Sequence, residues 1–399
     1  MLRPLEDALS AIRARARPLG AEEVPLAEAY GRVLAEGIRA RRDQPATDVS
    51  MMDGYALRAA DASSPMRVVG EIAAGDAPWT RPLAAGSAAR IFTGAPLPAG
   101  ADCVVMQEHC LREGDSVRVQ QPVKAGQHIR RRGEELNAGA EALRAGRILD
   151  ASDLALAAAC GAATARVHRR PRVAILCTGS ELVGVGEEPP PGKIVETNSL
   201  TLSALARDAG ADVVRLGVAP DSIDQIAARL RDAEADLLLT TGGASVGDHD
   251  HAQDALERLA GELIFHTVAI RPGKPVLFGT ASRGRLVFGL PGNPAAATLG
   301  FELFVRLAIR LLAGDPRPER PRARARLRGT ISRVKGLTYF PRGSVTVEGS
   351  QLVFTPGGQQ SSMQIASWSG ANAVGVVPPG EGPIEEGSEL EVLLVSPLA

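Results

Sequence analysis

Apolar residues recur at helical spacing near the start of the chain. Leu5, Leu9 and Ile12 share one face of a helix that this spacing predicts over residues 5–17. A second amphipathic helix is predicted over residues 26–36, because a proline directly precedes its first turn. The chain is therefore expected to begin with helical structure.

Between residues 66 and 145 the pattern changes to short apolar runs separated by Gly and Pro clusters. Such a pattern is typical of a small β domain. An alanine-rich helical stretch follows at residues 154–163, and we expect it to join the first helices in one module. The β domain is then an insertion into a discontinuous N-terminal module.

Strand and helix patterns alternate from residue 170 to about residue 312. This alternation predicts a doubly wound parallel sheet, whose ligands bind at the carboxyl ends of its strands. The predicted strands cover residues 173–177, 213–218, 236–240 and 285–290, and the predicted helices cover residues 199–209, 222–233, 250–259 and the stretch after Pro294.

The last part of the chain is rich in strand patterns, at residues 344–348, 352–355, 373–377 and 389–395, which predict a C-terminal β-barrel. In the run Arg320 to Arg328, arginines alternate with small residues, which predicts a charged edge strand rather than a nucleic-acid site. The sequence thus predicts a multidomain α/β plus β protein. The predicted domains are residues 1–41 with 142–169, residues 42–141, residues 170–318 and residues 319–399.

Composition narrows the function. The chain has 399 residues with 45 Lys and Arg against 46 Asp and Glu, so no global field favours nucleic acid. No run of about 18 apolar residues predicts a membrane span. The 4 cysteines form no C-x-x-C pair and are expected to be buried free thiols, neither zinc ligands nor disulfides. We expect a cytoplasmic protein without nucleic-acid or membrane partners.

Two glycine-containing turns follow predicted strands of the α/β domain. The loop 240–247 (T-T-G-G-A-S-V-G) allows close backbone approach, and its N–H groups can converge on an oxyanion. The turn Thr178-Gly179-Ser180-Glu181 repeats the arrangement after an earlier strand. Each turn alone is also compatible with a simple strand-to-helix connection, but two at one sheet edge predict a cleft.

Charged residues lie near these turns. Asp221 and Asp250 are candidate ligands for Mg²⁺ beside a phosphate, although either can instead cap a helix. Arg271 and Lys274 stand three residues apart in R-P-G-K-P, which suits a compact tetrahedral dianion or, alternatively, leaves two solvated charges. The element P-G-N-P at residues 291–294 precedes a helix and is a second candidate anion site.

With these motifs in order, the chain resembles the molybdopterin molybdenumtransferase family, to which the C-terminal part of gephyrin also belongs, over nearly its whole length. The motifs that carry the resemblance are Met52-Asp53-Gly54-Tyr55-Ala56, Ile91-Phe92-Thr93-Gly94-Ala95-Pro96, Arg131-Arg132-Gly133-Glu134, Thr178-Gly179-Ser180-Glu181-Leu182, Thr197-Asn198, Gly242-Gly243-Ala244-Ser245-Val246-Gly247, Arg271-Pro272-Gly273-Lys274-Pro275 and Pro291-Gly292-Asn293-Pro294.

The resemblance implies an enzyme that takes adenylylated molybdopterin and molybdate as substrates, inserts the metal into the pterin dithiolene and releases AMP with Mg²⁺ as cofactor. It implies a pterin and phosphate site formed by Thr178, Gly179, Ser180, Gly242, Gly243, Ser245, Gly247, Pro291 and Asn293. It implies catalytic roles for Asp53, Thr93, Glu181, Asp221 and Asp250, the last two holding Mg²⁺.

For molybdate, the resemblance implies a site made by Arg271, Lys274, Arg342, Ser361 and Ser362. It also implies a homodimer in which Asp53 and Thr93 face the α/β domain of the partner subunit. The chain departs from the family at Ala296, where Ser is frequent, at Thr267, where a basic residue is frequent, and at Arg271, where Lys is usual. These three substitutions lie at positions that the resemblance assigns to the molybdate site, so they are expected to change the affinity for molybdate.

The resemblance also implies protein partners, namely the molybdopterin adenylyltransferase, which supplies the substrate, and molybdoenzyme maturation factors, which receive the product. Two other functions compete with the transferase. The adenylyltransferase shares the α/β domain but needs only that domain, and a gephyrin-like scaffold requires a fused adenylyltransferase domain and a long linker that this sequence does not contain.

Overall fold

The computed structural model describes residues 2–242, 254–255, 258–259 and 261–397. It divides into two compact units, a larger one of residues 1–22, 31–35 and 167–399 and a smaller one of residues 23–30 and 36–166. The α-helices of the described residues include α1 (Leu5–Arg15), α2 (Ala151–Ala159), α3 (Asn198–Asp208), α4 (Ile223–Asp232), α5 (Pro294–Gly300) and α6 (Arg306–Leu312).

The smaller unit contains a six-stranded sheet. Its strands are β1 (Gly54–Leu57), β2 (Met66–Ile72), β3 (Ser87–Ile91), β4 (Cys103–Met106), β5 (Cys110–Glu113) and β6 (Ser116–Val119), in the order β4-β1-β3-β2-β6-β5. Only the pair β2–β3 is parallel within this sheet. Short paired strands add Ile38–Arg39 with Glu141–Leu143 and Val49–Ser50 with Ile129–Arg130. The predicted β-rich region is confirmed.

A six-stranded sheet also lies at the centre of the α/β part of the larger unit. Its strands are β7 (Arg172–Thr178), β8 (Asp212–Ala219), β9 (Leu237–Thr241), β10 (Glu262–Thr267), β11 (Pro275–Ala281) and β12 (Arg285–Leu290), in the order β8-β7-β9-β12-β11-β10. The four strands β8, β7, β9 and β12 are parallel, as predicted. The strands β11 and β10, which are not among the predicted strands, extend the sheet in antiparallel pairing.

Alternating side chains of the central sheet face two different cores. Val173 and Ile175 of β7 belong to the core that contains residues of α1, α3, α5 and α6, whereas Ala174 and Leu176 belong to the core with α4. Because both faces of a parallel sheet are covered by helices, its strands are continuously apolar rather than alternating. The arrangement is doubly wound.

The C-terminal part forms a closed five-stranded barrel, as predicted. Its strands are β13 (Arg322–Leu327), β14 (Arg342–Glu348), β15 (Gln351–Pro356), β16 (Ala373–Val376) and β17 (Glu389–Leu394). Three further strand pairs of the larger unit are Leu182–Val183 with Ile194–Val195, Ile270–Arg271 with Thr338–Tyr339, and Ile331–Ser332 with Pro383–Ile384. Two more strands, Ala21–Pro25 and Thr164–His168, lie where the chain passes between the units.

The predicted helix over residues 26–36 is wrong. The structure has a single 3₁₀ turn, Leu26–Glu28, and Gly31 follows it with a φ of +71°. That left-handed conformation ends helical hydrogen bonding, so the apolar residues Val33 and Leu34 are buried from an extended segment instead. The helix predicted over 154–163 is present but begins earlier, at Ala151, where Asp150 and Asp153 form a capping box.

The prediction of an edge strand at Arg320 to Arg328 is also wrong. Strand β13 pairs with β15 on one side and β17 on the other, so it has no free edge. Its small residues face the barrel core, while its arginines point outward to glutamates of strand β17, as Arg322 does to Glu391 at 2.6 Å and Arg324 to Glu389 at 2.9 Å. A barrel strand with arginines at alternate, outward-facing positions has the same sequence pattern as a charged edge strand.

Candidate active site

A cleft opens at the carboxyl edge of the central sheet. The ends of β7, β8, β9 and β12 meet there because Thr178 pairs with Ala219, Cys177 with Thr241, and Thr241 with Leu290. The cleft has a volume of about 1070 Å³. Its described lining includes Thr178, Gly179, Glu181, Asn198, Asp221, Thr241, Gly242, Pro291, Gly292, Asn293 and Met363. The structure thus brings the two predicted glycine turns together.

The turn after β7 is tied to the loop after β8. The Ser180 backbone N–H and hydroxyl both donate to Asp221 Oδ2, at 3.1 and 3.2 Å. Gly179 has a φ of +149°, and a Cβ added there would lie 2.6 Å from the Glu181 carboxylate. Glu181 therefore packs directly against the glycine. The other carboxylate oxygen of Asp221, Oδ1, has no hydrogen bond among the described residues.

The turn after β9 begins at Gly242, two residues later than the predicted loop, because Thr240 and Thr241 continue the strand. Gly242 has a φ of +92°, and a Cβ there would lie 2.2 Å from the Thr178 carbonyl oxygen. Only glycine fits this approach of two backbones. The predicted site residues Gly243, Ser245, Gly247 and Asp250, and most of the predicted helix 250–259, lie outside the described residues.

A buried polar group that the sequence-based prediction of the site does not include, Glu196, lies in the wall of the cleft. The Glu196 carboxylate accepts hydrogen bonds from the Ser199 N–H at 2.7 Å and hydroxyl at 2.6 Å, and from Cys177 Sγ at 3.2 Å. Burial raises the pKa of the Cys177 thiol, and the Glu196 carboxylate raises it further. Cys177 is therefore a neutral hydrogen-bond donor rather than a thiolate nucleophile.

The R-P-G-K-P turn lies between the α/β domain and the barrel. Arg271 pairs with Tyr339 through their strands, and its guanidinium lies 5.6 Å from the centre of the Tyr339 ring. A Cβ on Gly273 would lie 3.6 Å from the Cβ of Ala296, so the turn packs against the start of α5. Both cations of the turn, Arg271 and Lys274, are exposed.

The predicted molybdate residues of the C-terminal part contact one another and the P-G-N-P element. Arg342 is fully buried, and its Nη2 donates to the Ser361 carbonyl at 3.2 Å, while its Nε and Nη1 have no partner among the described residues. Burial lowers the pKa of Arg342. Ser362 accepts a hydrogen bond from Asn293 Nδ2 at 3.3 Å, which connects the barrel to the P-G-N-P element.

The helix N-terminus after P-G-N-P has protein acceptors for its first donors. The Ala295 N–H donates to the Ser362 carbonyl at 3.1 Å, and the N–H groups of Ala296 and Ala297 donate to the Asn293 carbonyl. Pro294 has no N–H. These four residues therefore offer no unused N–H group to an anion, and Pro291 and Asn293 reach the cleft as lining residues instead.

Asp53 and Thr93 belong to the smaller unit, where they contact each other. Asp53 Oδ1 accepts hydrogen bonds from the Thr93 N–H at 2.8 Å and the Thr93 hydroxyl at 2.7 Å. These bonds, first from the backbone and then from the hydroxyl, lower the pKa of Asp53. Thr93 thus fixes the Asp53 carboxylate within its own chain. That the pair serves the cleft of a partner subunit stays a prediction.

Other side-chain groups that could have indicated different chemistry are accounted for. All four cysteines are free, and Cys103, Cys160 and Cys177 are buried. Over the described ranges, no three His, Cys, Asp or Glu side chains cluster as a metal site. No helix in the described part of the chain is long and apolar enough to cross a membrane.

A doubly wound sheet with glycine turns and a cleft at its carboxyl edge is the architecture of a ligand-binding α/β domain. Comparison with known proteins identifies the family to which this domain and its neighbours belong. A probable molybdopterin binding domain matches residues 174–311, the MoeA N-terminal region (domain I and II) matches residues 3–161, and the MoeA C-terminal region (domain IV) matches residues 324–395. The chain belongs to the molybdopterin molybdenumtransferase family, also called MoeA.

Individual relatives agree with this assignment. A molybdopterin molybdenumtransferase from Nostoc sp. is 37% identical over 388 residues, covering 93% of this chain and 88% of the relative. One from Bacillus subtilis is 36% identical over 387 residues, covering 94% and 90%. The crystal structure of the molybdopterin biosynthesis MoeA protein from Pyrococcus horikoshii OT3 has 32% identity and a TM-score of 0.81, covering 99% of this chain and 100% of that one.

Proposed function

We propose that the chain is a molybdopterin molybdenumtransferase, which inserts molybdate into adenylylated molybdopterin and releases AMP. The observation that carries the proposal is the cleft itself, which glycine turns of a molybdopterin-binding domain line together with Asn293, whose amide donates to the Ser362 hydroxyl of the C-terminal part. Whole-length similarity to enzymes of that name supports it.

We assign one group of residues to the pterin and phosphate of the substrate and another group to molybdate. We assign Thr178, Gly179, Ser180 and Gly242, with Pro291 and Asn293, to the pterin and phosphate side, because these turns lie at the carboxyl edge of the central sheet, where α/β domains bind their ligands. Arg271, Lys274 and Arg342, with Ser361 and Ser362, form the molybdate side. The unpaired nitrogens of the buried Arg342 guanidinium support this assignment, because a buried cation favours an anionic partner.

We propose Mg²⁺ as the cofactor, held by Asp221 and Asp250. Mg²⁺ prefers oxygen ligands and usually takes one or two carboxylates together with phosphate oxygens and water. Oδ1 of Asp221, which has no hydrogen bond among the described residues, and the carboxylate of Glu181 fit that preference. When bound, the ion neutralises pyrophosphate charge as AMP departs.

The proposal includes a homodimer in the cytoplasm, with Asp53 and Thr93 serving the cleft of the partner subunit. It also includes handover of substrate from the molybdopterin adenylyltransferase and of product to molybdoenzyme maturation factors. These parts rest on the family resemblance and on the preformed Asp53–Thr93 pair.

The direct test supplies purified protein with adenylylated molybdopterin, molybdate and Mg²⁺, and measures AMP release together with activation of an apo-molybdoenzyme. We expect AMP release that depends on both molybdate and Mg²⁺. A protein that instead adenylylates molybdopterin when given MgATP, without molybdate-dependent AMP release, is an adenylyltransferase and the proposal is wrong.

The molybdate side has its own prediction. Lys274→Ala removes an exposed cation from the R-P-G-K-P turn without removing a hydrogen bond of the described structure. We expect the molybdate concentration for half-maximal AMP release to rise about tenfold, because a charge-assisted contact to the dianion is lost. The exposed Lys335, which pairs with Glu381 on the barrel, provides the control variant Lys335→Ala. An unaltered molybdate titration removes Lys274 from the site.

A further inference from the structure

Asn198, the first residue of α3, connects two turns of the cleft through one side-chain amide. Its Nδ2 donates to Thr241 Oγ1 at 2.8 Å and to the Gly292 carbonyl oxygen at 2.8 Å. The Thr241 hydroxyl donates onward to the Pro291 carbonyl at 3.0 Å. Because the Gly292 oxygen can only accept and the Thr241 hydroxyl proton is already used, the amide orientation is fixed.

The two connected turns approach each other closely. A Cβ built on Gly292 would lie 3.5 Å from the Cα of Gly242, so the two glycines face each other without side chains between them. Among the described residues, one backbone hydrogen bond beyond the regular strand pairing, from the Gly242 N–H to the Leu290 carbonyl at 3.2 Å, joins the two strand ends. Glycine turns are conformationally permissive, so cross-links from other elements decide where they rest.

Asn198 is itself held firmly. The Glu196 carboxylate accepts from the N–H and the hydroxyl of Ser199, the next residue of α3, and Arg215 donates to the same hydroxyl at 2.8 Å. Glu196 and Ser199 are both buried. A carboxylate at the first turn of a helix is favoured by the helix dipole, which anchors this end of α3.

We infer that Asn198 is a positioning residue for the pterin and phosphate side of the cleft, acting through Thr241 and Gly292 on the Gly242 turn. The inference rests on the proposed function for the identity of the ligand. Glu196 holds the start of α3, and with it Asn198, through its hydrogen bonds from Ser199. One hydrogen-bonded network therefore positions the sheet edge, helix α3 and the P-G-N-P element. Networks of this kind are worth more than isolated contacts because each bond orients the next.

The test uses the full-length protein and four variants. Asn198→Ala removes both donated bonds, Thr241→Val removes the hydroxyl at nearly constant shape, Thr241→Ser keeps it, and the fourth variant combines the first two. We expect Asn198→Ala and Thr241→Val each to raise the KM for adenylylated molybdopterin and the Kd for AMP about tenfold, with kcat changed far less. Thr241→Ser should recover most of the loss, and the combined variant should be little worse than either single one.

Thr201→Ala is the matched control, since Thr201 lies one turn further along α3 and bonds the Thr197 carbonyl of its own helix. Its Kd for AMP should equal that of the unmodified protein. A lowered melting temperature in Asn198→Ala and Thr241→Val with unchanged KM and Kd would mean that the network only stabilises the fold, and the inference would be wrong.

AMP binding by isothermal titration calorimetry separates this inference from the proposed function. If the unmodified protein binds AMP but releases none from adenylylated molybdopterin, the proposed function fails while the Kd series still decides the role of Asn198. If the unmodified protein binds no AMP at all, the cleft is not a phosphate site and the inference fails with it.

Discussion

Gly242 illustrates how a single residue determines the shape of the cleft. Its φ of +92° lies in the region where side chains are strained, and the position of its missing Cβ is already filled by the Thr178 carbonyl oxygen. Steric contact and backbone conformation therefore both require glycine here. The two effects can be separated experimentally because another glycine of the same domain has the same φ without the contact.

Gly242→Ala is expected to lower the free energy of unfolding by about 3 kcal/mol, since a left-handed alanine costs about 1 kcal/mol and the clash must also be relieved. We also expect the variant to lose measurable AMP binding. Gly186→Ala is the control, because Gly186 has a φ of +91° with no atom near its Cβ position.

Denaturant unfolding of both variants, followed with AMP titration, gives the comparison. Gly186→Ala should lose about 1 kcal/mol and keep AMP binding. Equal losses in the two variants would show that the approach of Gly242 to Thr178 carries no cost of its own.

At this scale the sequence indicated some residues well and others poorly. Thr178, Gly179 and Gly242 were identified because glycine turns after apolar strands have a specific pattern. Asn198 and Glu196 were not assigned, although Thr197-Asn198 stood among the motifs of the family. A lone Asn or Glu near a helix start fits a cap equally well, and only tertiary contacts reveal what it bonds.

At the scale of elements, the start of α2 is fixed by a reciprocal hydrogen-bonded cap. The Asp150 side chain accepts from the Asp153 N–H at 2.9 Å, and the Asp153 side chain accepts from the Asp150 N–H at 3.1 Å. Asp153 is buried and also accepts from Arg147 Nε at 2.7 Å. Burial raises the pKa of Asp153, but the hydrogen bonds from Arg147 and Asp150 together outweigh it and lower the pKa.

The lowered pKa gives a pH prediction with a definite sign. The stability that Asp153 contributes is fully present above its ordinary value of 3.8 and is lost as pH falls through its lower folded value. Asp153→Asn should therefore be less stable than the unmodified protein by about 1 kcal/mol at pH 7, and the difference should shrink in acid.

Thermal unfolding between pH 7 and pH 3 measures that difference. Asp150→Asn is the matched control in the same box, since Asn is as good an N-cap residue as Asp and the side chain accepts the same bond. A difference between Asp153→Asn and the unmodified protein that stays constant with pH would contradict the charge-based explanation.

Elements with strong periodicity were predicted well, and those that depend on turn geometry were not. The strands β7, β9 and β12 are continuously apolar, which only a sheet buried on both faces requires. The region 26–36 has helical spacing, yet Gly31 in a left-handed conformation ends the first turn. Likewise the arginines of β13 alternate as on an edge strand, and only the closure of the barrel shows that no edge exists.

At the scale of the whole molecule, the chain passes repeatedly between its two compact units, in segments around residues 22, 30, 35 and 166. Composition and periodicity could predict several domains but not which helix joins which core. Helix α1 belongs to the larger unit and α2 to the smaller, whereas the sequence reading grouped them in one module. The four-domain division stays a prediction, because contacts between distant segments decide it.

The proposed dimer leads to a prediction about shared sites. If Asp53 of one subunit serves the cleft of its partner, a site needs Asp53 from one chain and Lys274 from the other. Asp53→Ala and Lys274→Ala should each impair a homodimer, but a mixed dimer contains one site with neither substitution. Random pairing makes half of all dimers mixed, so a refolded equal mixture should recover about a quarter of the unmodified activity.

The measurement is AMP release from the mixture at a molybdate concentration far below half-saturation, where Lys274→Ala is nearly inactive, with separately refolded single variants as controls and light scattering to establish that dimers form. A mixture whose activity equals the mean of the two variants would mean that Asp53 and Lys274 serve the same chain's site or that Asp53 serves none. Recovery well above that mean requires a site built from two chains, since neither variant alone contains the missing pair.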